Sequence, residues 1–490
     1  MTKEPLSRKL TRGIFYLFFS SLVQLGLNVV TIGFVARALG VENFGLYSTI
    51  LSFVQLFEFL TDFGLNRTLL KFGSTDLTKA QISLGNALFI KSVLVVPTLA
   101  LLTLVGFLSG YRNEEIIILE LFAIGLIFDS YGTIFSSIRR ILGNFKLISF
   151  FRILKTAINL LIIIIALSVK NSVLSLAFAN AILNLIIFIV SLINTLLLLK
   201  PKLKLSLIKD FFKDSIIFSL SDFFLNIYSR ISIVLLSFFN NLHSVGIFSA
   251  AIRFTRIANL FPTQVRFALL PTLYRIFEDT EQKTEGKDQK TKRVFLIILK
   301  YMTIFATPFV IFIYFFSGQI VHLIFGSKYD SSMPLVQLFS LFIYLRFIET
   351  PFGLFYIAMN KHKKMVYFQG FTSILNIILN LILIPLYSTY GACAATLISE
   401  IFFVFLVIYM GRKYLIWRLA NVLQILSKPT IAGLISVVLT ILLLKNINIV
   451  LQMLFLLLCY LVILVVSKVF DKGDKELFLK IFSKNAIISK

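Results

Sequence analysis

Two cysteines and three histidines in 490 residues exclude two kinds of chemistry at the outset. Cys393 and Cys459 lie in apolar runs, so no disulfide framework is available and both read as small packing residues. His243, His322 and His362 are scattered without metal-ligand spacing, so neither a metal nor any other cofactor is expected. There is no P-loop, no HExxH and no nucleophile–histidine–acid spacing, and the chain does not read as an enzyme. Charge is scarce as well: 14% of residues are charged, against about 25% in soluble proteins. Acidic residues are the scarcest, 23 against 48 basic, which leaves a formal net charge of +25.

What the chain has instead is apolar length. It is 58% hydrophobic with a mean hydropathy of +0.92. Apolar runs of about 20 residues recur throughout, each able to cross a hydrocarbon core about 30 Å thick. This is an all-α polytopic membrane protein. A charge of +25 on a soluble chain would suggest nucleic acid; here it is a topology signal, and no nucleic acid is expected. Lys3, Arg8, Lys9 and Arg12 before an apolar run imitate a signal peptide. That run, 13–35, is too long for one and reads as a retained first span.

Spans are expected at 13–36, 44–66, 80–109, 115–138, 147–169, 173–199, 214–239, 244–270, 294–317, 333–357, 366–387, 391–411, 429–445 and 449–467. Fourteen helices put both termini on one side. With the N-terminus in the cytoplasm, thirty-four of the basic residues fall in cytoplasmic segments and five on the opposite side. That asymmetry is what the positive-inside rule predicts.

The stretch LGVENFGLYSTILSFVQLF, from Leu39, has a counterpart in NNLHSVGIFSAAIRFTRIA, from Asn240. Gly45, Leu46, Tyr47 and Ser48 fall opposite Gly246, Ile247, Phe248 and Ser249, an offset of 201 residues. The pattern opens the second and the eighth helix. It predicts two six-helix lobes, 1–212 and 213–415, related as a parallel repeat by an axis along the membrane normal. Two extra C-terminal helices and a tail fill 416–490.

Nine basic residues remain inside these spans, and each must be explained, because a charge near mid-bilayer costs about 2.5–3.5 kcal/mol or more. Arg266, Lys300, Asp62 and Arg152 lie near span ends and can reach the interface. Arg253, Arg256, Arg346 and Lys91 cannot, and Arg230 is also within a span. Along the eighth helix, Arg253 and Arg256 lie about 10 and 15 Å deep and about 60° apart, so they share a face, with a bend expected at Pro262. Arg346 and Lys91 fall at similar mid-depth. These five are the candidate lining of a cationic chamber. Guanidinium forks suit phosphate, so the expected ligand is an anionic head group. The competing reading is ion pairing: Arg346 and Glu349 are three residues apart, and Asp222, Asp129, Glu58 and Glu400 are available to other cations. Glu400 and Asp62 are candidates for carrying a coupling proton. Asn376 and Asn380 read as interhelical glue.

The stretch ARALGVENFGLYSTILSFVQLFEFLTDFGLNRTLLKF resembles polysaccharide biosynthesis proteins of the oligosaccharide flippase type, within the multidrug/oligosaccharidyl-lipid/polysaccharide exporter superfamily. The residues carrying the resemblance are Arg37, Leu39 and Gly40, then Phe44 to Tyr47, then Asp62 to Leu65. The resemblance implies two lobes around a central cavity. It also implies flipping of a polyprenyl-diphosphate-linked oligosaccharide, by alternating access, from the cytoplasmic to the outer leaflet of a bacterial inner membrane for surface polysaccharide. A drug or cation antiporter and a peptidoglycan-precursor flippase of the same superfamily stay open. So does a membrane glycan polymerase, although the longest external connection, about Ser317 to Met333, is short for an enzyme. The cluster KPKLKLSLIKDFFKD, from Lys200, faces either anionic lipid or a glycosyltransferase or polymerase of the same pathway.

Overall fold

A computed structural model describes residues 6–74, 76–278, 287–359, 361–412, 419–444, 448–470 and 474. Most of the basic C-terminal tail, the connection 413–418 and the Lys445 turn lie outside the described residues. All regular structure among those described is helical. In chain order the helices are α1 Leu6–Asp62, α2 Leu65–Gly73, α3 Leu77–Leu108, α4 Asn113–Ile141 and α5 Phe145–Val169. They continue with α6 Val173–Leu198, α7 Ile208–Phe239, α8 Leu242–Ala258, α9 Leu260–Glu278 and α10 Lys287–Phe315. The last are α11 Ser317–Phe325, α12 Met333–Ala358, α13 His362–Gly411, α14 Leu419–Leu444 and α15 Ile449–Val466. Ten of these are long and apolar enough to cross a membrane when each bent helix counts once.

Helices are forced here because a lipid interior offers backbone N–H and C=O groups no partner but one another. Outward side chains are correspondingly apolar: Val96, Leu108, Val169, Leu197, Leu442 and Val466 are all exposed. Two long helices are bent pairs. α1 breaks at Gly40, whose φ of 72° ends the first arm without the Cβ clash another residue would meet. α13 breaks at Ser388, with φ 51°. Both breaks fall in gaps expected between spans. Asn376, on the first arm of α13, donates to Ser399 on the second at 3.3 Å. The α8–α9 break at Asn259 lies three residues before Pro262, where the sequence predicts a bend. Side-chain caps at Asn144, Ser172 and Asn241 start α5, α6 and α8.

The chain forms two compact units. One comprises residues 1–260, 318–335 and 363–403; the other comprises 261–317, 336–362 and 404–490. In the first unit, the second arm of α1 and α8 touch backbone to backbone. A Cβ at Gly45 would lie 1.9 Å from the Leu242 carbonyl oxygen, and a Cβ at Gly246 would lie 2.2 Å from that of Val41. Val41 and Leu242 carry the same 201-residue offset as the two glycines. The contact is therefore reciprocal, as contacts across a two-fold axis are.

The residues just before this contact are tied to α11 and the turn that follows it. Arg37 donates through Nε to the Ile324 carbonyl (3.1 Å) and through Nη2 to those of His322 (3.1 Å) and Leu323 (2.5 Å). These are the last carbonyls of α11, where a cation also meets the negative helix end. The Tyr329 hydroxyl donates to the Ala36 carbonyl at 2.9 Å.

Candidate functional site

Arg253 and Arg256, one turn apart on α8, line the same cavity of about 450 Å³. Its walls are the first arm of α1, Tyr47 of the second arm, α5, α6 and α8. Gln24, Asn28, Tyr47, Asn159 and Asn180 supply the remaining strongly polar lining, and no carboxylate lines it among the described residues.

The Arg253 guanidinium lies over the Phe44 ring, 5.2 Å from its centroid. Phe44 is itself fixed edge-on by Tyr329, with centroids 5.8 Å apart. A ring orients a guanidinium without cancelling its charge. Arg253 Nε is buried and has no hydrogen-bond partner among the described residues. Arg256 is exposed into the cavity. Neither arginine is ion-paired among the described residues. Arg230, on α7, does not line the cavity, but its charge acts on both Arg253 and Arg256, and Glu58 is the carboxylate within its electrostatic reach. The arrangement holds positive charge and hydrogen-bonding amides together in one cavity.

Residues 10–277, more than half of the chain, match the family of polysaccharide biosynthesis proteins. The chain belongs to this family. A relative, the probable low-salt glycan biosynthesis flippase Agl15 of Haloferax volcanii, is 23% identical over 407 residues, covering 80% of this chain and 81% of that protein. In fold the chain is similar to the lipid II flippase MurJ in an inward closed conformation. The TM-score is 0.75, with 18% identity and coverage of 94% of this chain and 99% of that one. It is also similar to an inward-facing multidrug resistance MATE family transporter of the MOP superfamily. There the TM-score is 0.65, with 15% identity and coverage of 80% and 94%. A third similar structure is a MOP superfamily transporter of Pyrococcus furiosus, described as having a binding pocket of reversed polarity (TM-score 0.59, 15% identity, coverage 82% and 95%).

The other expected site residues of this polysaccharide biosynthesis protein are placed elsewhere. Lys91 is fully buried, and its Nζ donates to Asp62 Oδ1 (3.2 Å) and the Ser130 carbonyl (3.0 Å), beside the Tyr131 ring. Asp62 also accepts from Asn66 Nδ2 at 2.8 Å. Two candidates with different expected roles are therefore partners of each other, and neither lines the cavity. Just after Asp62, Phe63 and Gly64 both take positive φ, 44° and 76°, which separates α1 from α2. Asp62 and Lys91 thus fix that break against α3. Breaking a buried pair by removing one partner costs about 3–5 kcal/mol. We expect Asp62→Asn to lower the midpoint of thermal unfolding, and Asp62→Asn with Lys91→Met to recover most of the loss. Unchanged stability of the single variant contradicts the pairing.

Glu400 is fully buried on α13, where its Oε2 accepts the Tyr228 hydroxyl at 2.7 Å. Arg346 belongs to the second unit, with its guanidinium 5.2 Å from the Phe342 ring. In that unit Arg266 does not simply reach for the interface. Its Nη2 lies 3.7 Å from Oε2 of the buried Glu349. The lining residues that sequence reading passes over are Gln24, Asn28, Asn159 and Asn180. Their signal was available: an amide in an otherwise apolar span needs a polar partner.

Proposed function

We propose that the protein flips a polyprenyl-diphosphate-linked oligosaccharide from the cytoplasmic to the outer leaflet of the bacterial inner membrane, for surface polysaccharide synthesis. The observation that carries this reading is a cavity whose two arginines have no ion-pair partner, and whose lining has no carboxylate, among the described residues. Such a cavity favours an anion and disfavours the cationic drugs an antiporter would carry. Guanidinium forks bind the diphosphate bidentately, and the amides of Asn28, Asn159 and Asn180 suit sugar hydroxyls. The family and the relative Agl15 support a glycan as cargo.

In this reading residues 1–212 and 213–415 are the two rocking lobes, 416–490 adds two helices, and both termini are cytoplasmic. Arg230 adds to the field of the cavity, and Arg346 and Lys91 are later contacts or structural ion partners. Glu400 or Asp62 carries the coupling proton. No chemical step is catalysed, and pathway glycosyltransferases or a polymerase work on either side of the membrane.

The test is a strain lacking this chain. Loss of surface glycan, with complete repeat units accumulating on their lipid, is the expected result. Normal glycan with altered drug tolerance points to an antiporter. Units that reach the outer leaflet but stay unpolymerised point to an enzyme. Either of these outcomes overturns the proposal.

A further inference from the structure

A second cavity, of about 520 Å³, is walled by α2, α4, α5 and α6. We propose that it binds the phosphate ester head group of a membrane lipid through Arg139, Arg140 and Arg152.

Five cations line it, and one carboxylate. Two of the cations are accounted for: Arg67 pairs with Asp222 at 2.5 Å, and Lys155 pairs with Asp129. The other three are not. Arg139 is 4% exposed and lies on the Phe151 ring at 4.6 Å. Its Nε and Nη2 are buried with no hydrogen-bond partner among the described residues. Arg140 and Arg152 have no ion-pair partner there either, and they are near enough for their like charges to act on one another. Desolvating charge of one sign without a counter-charge is costly, so the cavity is incomplete without an anion. A buried guanidinium held flat on a ring, with its donors unspent, presents the planar fork that phosphate oxygens accept.

The surroundings point to a lipid rather than to free phosphate. Leu154, Ile186 and Val190 line the same cavity and are 39%, 51% and 46% exposed, so it opens onto an apolar outer face. A head group inside would leave its chains along that face. Arg139 and Arg140 sit in the last turn of α4 and Arg152 two turns into α5, with Lys146 near the start of α5. The basic groups therefore gather toward one end of both spans, where a lipid phosphate would lie. The site is distinct from the first cavity. Gln24 stands between the two, donating to the Arg152 carbonyl (3.3 Å) and to Thr156 Oγ1 (3.2 Å).

The phosphate can come from a bulk anionic phospholipid or from a polyprenyl diphosphate. The test is native mass spectrometry of the full chain titrated with dioleoyl phosphatidylglycerol, a polyprenyl diphosphate and phosphate-free dioleoylglycerol. The expected result is tighter binding of the phosphate lipids than of dioleoylglycerol. Arg139→Gln with Arg152→Gln should weaken it at least about tenfold, the loss of one charge-assisted bond, while Arg253→Gln with Arg256→Gln leaves this site filled. Where the glutamine pair fails to fold, Arg140→Gln alone carries the comparison. A preference for the polyprenyl diphosphate assigns the site to the carrier lipid, and equal affinity assigns it to bulk phospholipid. Binding unchanged by the substitutions, or no preference for phosphate, overturns the proposal.

Discussion

A chain carrying Arg253→Gln together with Arg256→Gln inserts at the wild-type level and delivers no glycan to the surface. Each arginine is expected to make at least one charge-assisted bond to the diphosphate, worth about 1.5–3 kcal/mol. Losing both weakens binding by about a hundredfold or more. The same substitutions should leave thermal stability unchanged or raise it. Two charges with no carboxylate beside them among the described lining residues cost free energy in the empty protein, and removing them relieves that cost. Stability and export therefore move apart, which a structural role cannot produce. Arg253→Lys keeps the charge but loses the fork and the stacking on Phe44, so it should retain only part of the export. Immunoblotting of membranes, surface-glycan staining and unfolding midpoints in detergent check all three. Normal export from the double variant removes the cavity from the mechanism.

The second large effect is steric. Gly45→Val places a side chain where even a Cβ lies 1.9 Å from the Leu242 carbonyl oxygen, and backbone cannot rotate away as a side chain can. Overpacking a core costs about 1–3 kcal/mol when side chains can shift; here two helices must separate, so the loss reaches at least the top of that range. Gly246→Val meets the Val41 carbonyl in the same manner and should fail in the same way. Gly26→Ala, on the first arm of α1 with nothing within 4 Å of its Cβ, should be silent. Unfolding midpoints and export of the three variants check this. A stable, active Gly45→Val chain would show that the close approach is dispensable.

Much of the fold was legible because the bilayer leaves so few choices. Apolar runs of span length must become helices, and glycine, proline and polar interruptions mark where one gives way to the next. Hence the breaks at Gly40, at Ser388 and near Pro262 fall where the sequence suggests them. The 201-residue repeat was legible too, and the reciprocal contacts of Gly45 and Gly246 follow it. Two short helices, α2 and α11, were not anticipated, because nine residues carry too little apolar periodicity to stand out beside spans of twenty.

Charge partners were the least legible part. Lys91 and Asp62 are 29 residues apart, and Arg266 and Glu349 are 83 apart, so no spacing rule joins them. Depth along a helix fixes how far a charge lies from water, but its neighbours are set by how other helices rotate. Arg253 and Arg256 could be placed together because they share one helix. Arg37 shows the opposite case: a motif residue of evident importance whose work, closing the end of α11 by holding three carbonyls, only the tertiary structure displays.

The most direct measurement is leaflet exchange in liposomes containing only the purified chain and a fluorescent polyprenyl-diphosphate oligosaccharide, followed with a membrane-impermeant quencher. The expected result is that the protected inner-leaflet fraction becomes accessible with wild-type protein and stays protected with the Arg253→Gln, Arg256→Gln chain. Continued protection with folded wild-type protein, under an imposed ion gradient or membrane potential as well as without one, would contradict flipping by this protein.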